Sequence, residues 1–154
     1  MAVFPSSRVG DRLEFSVRIP FVELLGFELR RMDGGEAEIA FDPAADHLNS
    51  FDVIHGGASM TLLDVVMAHA ARSVQPDMGA VTIEMKTSFM RAAQGPVVAK
   101  GRLLHRTATM AFTEGQVFNA AGQLCCHATG TFKFVPRLPT GPASAKELNR
   151  VRTD

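Results

Sequence analysis

Apolar residues at positions 60, 63, 66, 67, 70, 71 and 74 recur with helical spacing, and Val65 and Ala68 widen the stripe. The pattern predicts one long helix behind His55-Gly56-Gly57, ending near Ser73 to Pro76, where proline cannot continue it. A helix apolar almost all round belongs inside a protein. This one is too short and too interrupted to span a bilayer. Its one carboxylate, Asp64, falls about two turns in.

Elsewhere the period is mostly two. Ile19 to Gly26 suits a short helix, with Pro20 in its first turn and Gly26 as its stop. Phe27 to Met32 and Glu36 to Phe41 flank Asp33-Gly34-Gly35, a hairpin signal. Asp42 to Ile54 is a loop rich in turn formers. After the long helix, Val81, Ile83, Met85, Thr87 and Phe89 alternate with Thr82, Glu84, Lys86 and Ser88, which predicts one apolar face. Arg91 to Pro96 turns the chain; Val97 to Arg106, Met110 to Asn119 and Gln123 to Val135 read as further strands.

The expected order is helix, two strands, long helix, then four strands in meander, an α+β arrangement. One helix cannot cover both faces of a six-stranded sheet. A strongly curved sheet wrapped round that helix accounts for its apolar circumference. Residues 1–18 are expected to be a flexible arm, 19–135 the domain, and 136–154 a flexible tail with three prolines and mixed charge.

The 154 residues suffice for one domain with a real core, and the net charge of zero, with no basic run inside the fold, argues against nucleic acid or an anionic membrane as the main partner. The first ten residues contain no apolar core of signal-peptide length. The two cysteines are adjacent, Cys125 and Cys126, and suggest neither a disulfide framework nor a metal site. The expected location is the cytoplasm.

The first N–H groups of a helix lack partners within it and sit at the positive end of its dipole. Gly56 and Gly57 remove side chains that would block a ligand there, so an exposed N–H can hold an oxygen acquiring negative charge. Asp64, among Met60, Thr61, Met67 and Ala68, loses hydration, which suits a base or nucleophile. Seven residues separate Gly57 from Asp64, placing both on one face but roughly 10 Å apart along the axis. That gap is too long for an Asp side chain. Two copies of the helix, antiparallel across a two-fold axis, would set Asp64 of one chain beside Gly57 of the other, giving two sites per dimer. A single-chain site with Asp64 facing another group is the alternative.

Asn49-x5-His55-Gly56-Gly57-x6-Asp64 resembles the signature of the hotdog-fold thioesterases, in particular the phenylacetate-pathway (PaaI-like) branch. Ala80 to Lys86 and Phe89-Met90-Arg91-Ala92 are also similar, and the likeness covers roughly residues 20 to 135. The resemblance implies a long helix wrapped by an antiparallel sheet of about six strands, paired as a dimer with a continuous sheet or as a dimer of dimers. It implies hydrolysis of an acyl-CoA thioester to a free acid and CoA. The Gly57 N–H would then polarise the carbonyl. His55 would brace the loop, and Asn49 would orient the acyl group or the water. Asp64 from the partner chain would be general base or nucleophile, with Thr82 near the attacking water. The resemblance implies no metal or redox cofactor, and coenzyme A enters only as part of the substrate.

Relatives usually carry Gly three residues after the Asn, where this chain has Asp52. Asp tolerates the left-handed backbone better than most residues. Its charge would also disfavour anionic acyl groups. Gly56 and Met60 join the expected substrate-binding set, and Arg91, His105 and Arg106 are candidates for the CoA phosphates. The resemblance favours an aryl- or medium-chain acyl-CoA. An acyl-carrier-protein thioesterase and a non-catalytic acyl-CoA- or carrier-binding protein are the rival readings. Hotdog hydratases and dehydratases pair an Asp and a His near the helix start, a different pattern.

Overall fold

The computed structural model describes residues 11–136. The outer parts of the expected arm and tail, 1–10 and 137–154, lie outside the described residues. Helix α1 (Pro20–Leu25) leads into strands β1 (Glu28–Asp33) and β2 (Glu36–Phe41), then a short 3-10 turn at Ala45–His47. The long helix α2 (Gly56–Arg72) follows, and then β3 (Met78–Phe89), β4 (Val97–Arg106), β5 (Met110–Asn119) and β6 (Leu124–Pro136). The β1–β2 turn places Gly34 and Gly35 at φ of 57° and 84°. Two successive positive φ values match the twist of a tight hairpin, and glycine adopts them freely. Residues 11–18, read as arm, lie against the domain: Leu13 bridges Leu29, and Ser16 accepts a hydrogen bond from Arg72.

The six strands form one antiparallel sheet in the order β1-β2-β4-β5-β6-β3. The expected four-strand meander is therefore corrected. Only β4, β5 and β6 run as a meander, and β3 crosses to the far edge beside β6. The link after β3 is not a hairpin: the Met90 and Arg91 N–H groups donate to the Cys125 carbonyl, and the Ile54 N–H donates to Ala93. Those bonds tie the link to β6 and to the loop before α2, so β3 and β4 cannot pair with each other.

The sheet curls around α2, whose Leu62, Leu63, Val66, Met67, Ala70 and Ala71 are fully buried. This is the expected helix wrapped by a curved sheet. The expectation of burial on nearly every side is corrected along one strip, where Gly57 and Met60 are exposed and Thr61, Asp64 and Ala68 half-buried. Gly101 on β4 lets the helix come close. A Cβ there would lie 2.6 Å from the Val66 carbonyl oxygen. A Cβ on its cross-strand partner Gly115 would meet the Leu63 and Met67 side chains, not backbone, at 3.1 Å. Gly101→Ala is therefore expected to cost about 3 kcal/mol, since backbone must move, and Gly115→Ala less. Thermal melts check this: Gly101→Ala should fall by about 10 °C, and equal melting of the two variants would refute the close approach.

His69 lies within this core. Its Nδ1–H donates to the Val65 carbonyl at 2.8 Å, Phe15 meets the ring edge-on, and burial lowers its pKa to about 4, so it stays neutral near pH 7.

Candidate active site

The candidate site residues fall into two groups, and one chain holds them apart. The first surrounds the start of α2. His55 is the N-cap, and its Nδ1 accepts the Gly57 N–H at 2.9 Å. The Ala58 and Ser59 N–H groups both donate to the His55 carbonyl. The expected free donor at Gly57 is thus corrected, because the histidine ring already occupies it. Gly56 keeps the first-turn N–H that has no partner among the described residues. His55 caps the helix start through that ring nitrogen.

Gly56 opens on a cavity of about 340 Å³ whose other walls include Asn49, Ser59, Phe89, Arg91 and Cys126, with Val53, Ile54, Ala92 and Ala93 supplying apolar surface. The loop before it is held by Asn49, whose Oδ1 accepts the Phe51 N–H at 2.9 Å and the Val53 N–H at 3.4 Å. Asp52 sits at φ 57° in the left-handed region, and its N–H donates to the Asn49 carbonyl. The left-handed turn for which the resemblance led one to expect glycine is therefore made with aspartate. Asn49 lines the cavity, but its carboxamide oxygen is committed to the loop.

The second group is Asp64 and Thr82, whose hydroxyl donates to Asp64 Oδ1 at 2.6 Å. A β-bulge makes this contact. The β3–β6 register slips between Thr82 and Glu84, so Thr82 pairs with buried Phe132 while Met85, Thr87 and Phe89 pair with Gly130, Ala128 and Cys126. Thr82 therefore shares the helix-facing side with Met85 and Phe89. The strict alternation expected from the sequence placed it on the opposite face, and the bulge corrects that. Burial raises the Asp64 pKa above the 3.8 of a free aspartate, and the Thr82 hydrogen bond partly offsets this by favouring the charged form.

Asp64 and Thr82 do not line the Gly56 cavity. Eight residues of helix separate Gly56 from Asp64, about 12 Å along the axis. Asp64 instead faces the open strip of α2 with Met60, beside β3. That strand pairs only with β6, and its free edge exposes Val81 and Ile83 at 40% and 54%. Among the expected phosphate contacts, Arg91 lines the cavity, whereas His105 and Arg106 do not. They end β4, with His105 stacked on Phe112 at 6.2 Å. Strand length separates the two ends of β4 by about 30 Å.

Sequence reasoning passed over Ser59, Phe89 and Cys126. Ser59 lies three residues after Gly56, a spacing that stacks the two on one helix face. No sequence signal placed Phe89 or Cys126 at the helix start. Among the described residues, no group of three His, Cys, Asp or Glu side chains is arranged to hold a metal ion, and no helix is long and apolar enough to cross a membrane.

A curved antiparallel sheet round one helix, with a capped glycine start and a helix carboxylate, defines a hotdog protein. The family model for the thioesterase superfamily matches residues 51–126, which contain the helix start, Asp64 and Thr82. A candidate esterase of Archaeoglobus fulgidus is 33% identical over 71% of this chain and 71% of its own. A conserved protein of Pseudomonas aeruginosa superposes with a TM-score of 0.74 at 31% identity, over 77% of this chain and 96% of that one. A single-residue variant of the phenylacetic acid degradation protein PaaI of Thermus thermophilus superposes with a TM-score of 0.68 at 28% identity, over 75% of this chain and 98% of that one. The chain belongs to the thioesterase superfamily, as a PaaI-like hotdog thioester hydrolase.

Proposed function

We propose that this protein hydrolyses aryl- or medium-chain acyl-CoA thioesters and that its active site is shared between two copies of the chain. The observation that carries this reading is the division of the site. An unbonded N–H and a cavity lie at the start of α2, and a desolvated carboxylate lies about 12 Å further along, beside an unpaired strand edge. Pairing β3 with a second β3 continues the sheet and covers Val81 and Ile83. It also brings two α2 helices antiparallel, so that Asp64 of the partner subunit meets the Gly56 cavity. Further pairing of dimers is compatible with this arrangement.

In that site the thioester carbonyl oxygen accepts the Gly56 N–H, which stabilises the negative charge that builds on it. Asp64 of the partner subunit takes a proton from water as the water oxygen bonds to the carbonyl carbon. The C–S bond then breaks, and the thiolate recovers that proton as CoA leaves. Thr82 holds the carboxylate in place. Arg91, at the cavity mouth, is placed to meet a CoA phosphate. His55 and Asn49 shape the helix start, and the apolar walls receive the acyl group. Met60 lies between the two groups along the open strip. The reaction and these residues suit a compartment that contains CoA, such as the cytoplasm.

The test is thiol release from a panel of aryl- and alkyl-CoA thioesters, followed by subunit mixing. Gly56→Pro and Asp64→Asn chains, each inactive alone, are expected to regain about a quarter of wild-type activity after equimolar exchange. Half of the dimers are then mixed, and one of the two sites in each is intact. No thiol release from the wild-type protein would reject hydrolysis. Absence of recovery, with exchange confirmed, would reject the shared site.

A further inference from the structure

We propose that Ser59 selects the acyl group, and that the acyl group it selects carries a hydroxyl on its β-carbon. The inference rests on the thioesterase reading above and specifies its substrate class. Ser59 is 3% exposed, yet it helps to line the Gly56 cavity. It is a buried hydroxyl beside the apolar surface of Val53, Ile54, Phe89 and Ala93, in a wall whose other polar side chains are Asn49, committed to its loop, and Arg91.

Hydroxyls on helices commonly fold back onto the carbonyl of the preceding turn. Two on α2 or its cap do so: Thr61 donates to Gly57 at 2.8 Å and Ser73 to Ala70 at 2.7 Å. Ser59 makes no such bond among the described residues. Among the described residues its hydroxyl forms no hydrogen bond to an oxygen or nitrogen, and the Cys126 thiol, which lines the same cavity, is only a weak acceptor. A substrate oxygen is a better acceptor, so an entering hydroxyl would displace a weak contact and leave no strong one broken.

The geometry selects the position of that oxygen. Ser59 follows Gly56 by three residues, so its Cα lies about 4.5 Å further along the helix on the same face. With the carbonyl oxygen on the Gly56 N–H, an oxygen two carbons from the carbonyl carbon comes within reach of Ser59. The cavity of about 340 Å³ falls within the range of small-molecule sites, toward its lower end. That accommodates a medium-length chain beyond the hydroxyl-bearing carbon.

The test compares kcat/KM for 3-hydroxyoctanoyl-CoA, both enantiomers, with that for octanoyl-CoA. The wild-type protein is expected to prefer one hydroxylated enantiomer by about tenfold, the worth of one good neutral hydrogen bond. Ser59→Ala is expected to bring that ratio to about one, through a raised KM for the hydroxylated substrate. Ser59→Cys, which keeps the shape and weakens the donor, should give an intermediate ratio. A ratio that is near one in wild type, or that survives in Ser59→Ala, overturns the assignment, as does an equal loss for both substrates. Turnover of aryl-CoA thioesters with none of either octanoyl thioester overturns this assignment alone. Absence of thiol release from every thioester overturns the hydrolase reading with it.

Discussion

Asp64→Asn is expected to lower kcat/KM about 1,000-fold, within the range a positioned general base supplies, while the fold and subunit mass stay those of wild type. Asparagine has nearly the shape of aspartate and cannot take a proton. It also removes a charge from a desolvated position, so stability should hold or rise. The pH profile gives a second reading of the same group. Burial favours the protonated carboxyl, so the acid limb of kcat/KM should lie above the usual aspartate range. The Thr82 hydroxyl donates to the carboxylate and favours its charged form. Thr82→Val should therefore move that limb to still higher pH, with activity recovered once the pH is well above it. Steady-state rates on one thioester between pH 4 and 9 check both results. An acid limb that stays in place in Thr82→Val would mean that the titrating group is not Asp64.

Gly56→Pro is expected to reduce kcat by 100-fold or more, the usual effect of losing one oxyanion donor. Proline is well suited to this position. It is favoured at the first residue of a helix, where the N–H has no helical partner. The preceding His55, at φ −57° and ψ 136°, already has the extended backbone that a residue before proline adopts. A Cβ at Gly56 meets only the Phe89 ring at 3.5 Å, an ordinary contact. The substitution therefore deletes one N–H and leaves the helix in place, which circular dichroism and thermal melting can confirm. A folded Gly56→Pro with wild-type kcat would remove the Gly56 N–H from the mechanism. Attention would then return to Gly57, whose N–H becomes available only when the His55 ring turns away from it.

Two corrections at this site share one cause. Sequence spacing located the helix start, but not which of its N–H groups remained free. That depended on the rotamer of His55, whose Nδ1 turns back onto Gly57. Likewise the alternation along β3 gave Thr82 the parity of Glu84, Lys86 and Ser88. One extra residue in the bulge reverses that parity and aims the hydroxyl at Asp64. Neither a side-chain rotamer nor a bulge has a periodic signature.

Period and punctuation in the chain determined the elements themselves. The apolar stripe of α2, the glycine pair of the first hairpin and the alternating strands each arise from local stereochemistry and the need to bury one face. Gly101 could be read as a strand residue. That it admits a helix backbone to within 2.6 Å of a would-be Cβ required the sheet to be closed round α2. The strand order was likewise a tertiary matter, because β3 and β4 are neighbours in sequence but β4 pairs with β2 and β5 in the middle of the sheet while β3 pairs with β6 at its edge. The sequence by itself thus determined the helix, the strands and the residue types of the site. The spacing along the helix already set Gly56 and Asp64 apart in one chain, and the His55 rotamer, a local choice, decided which N–H is free. Tertiary structure decided which hydroxyl meets Asp64 and where β3 pairs, because those outcomes depend on hydrogen bonds and packing between segments distant in sequence.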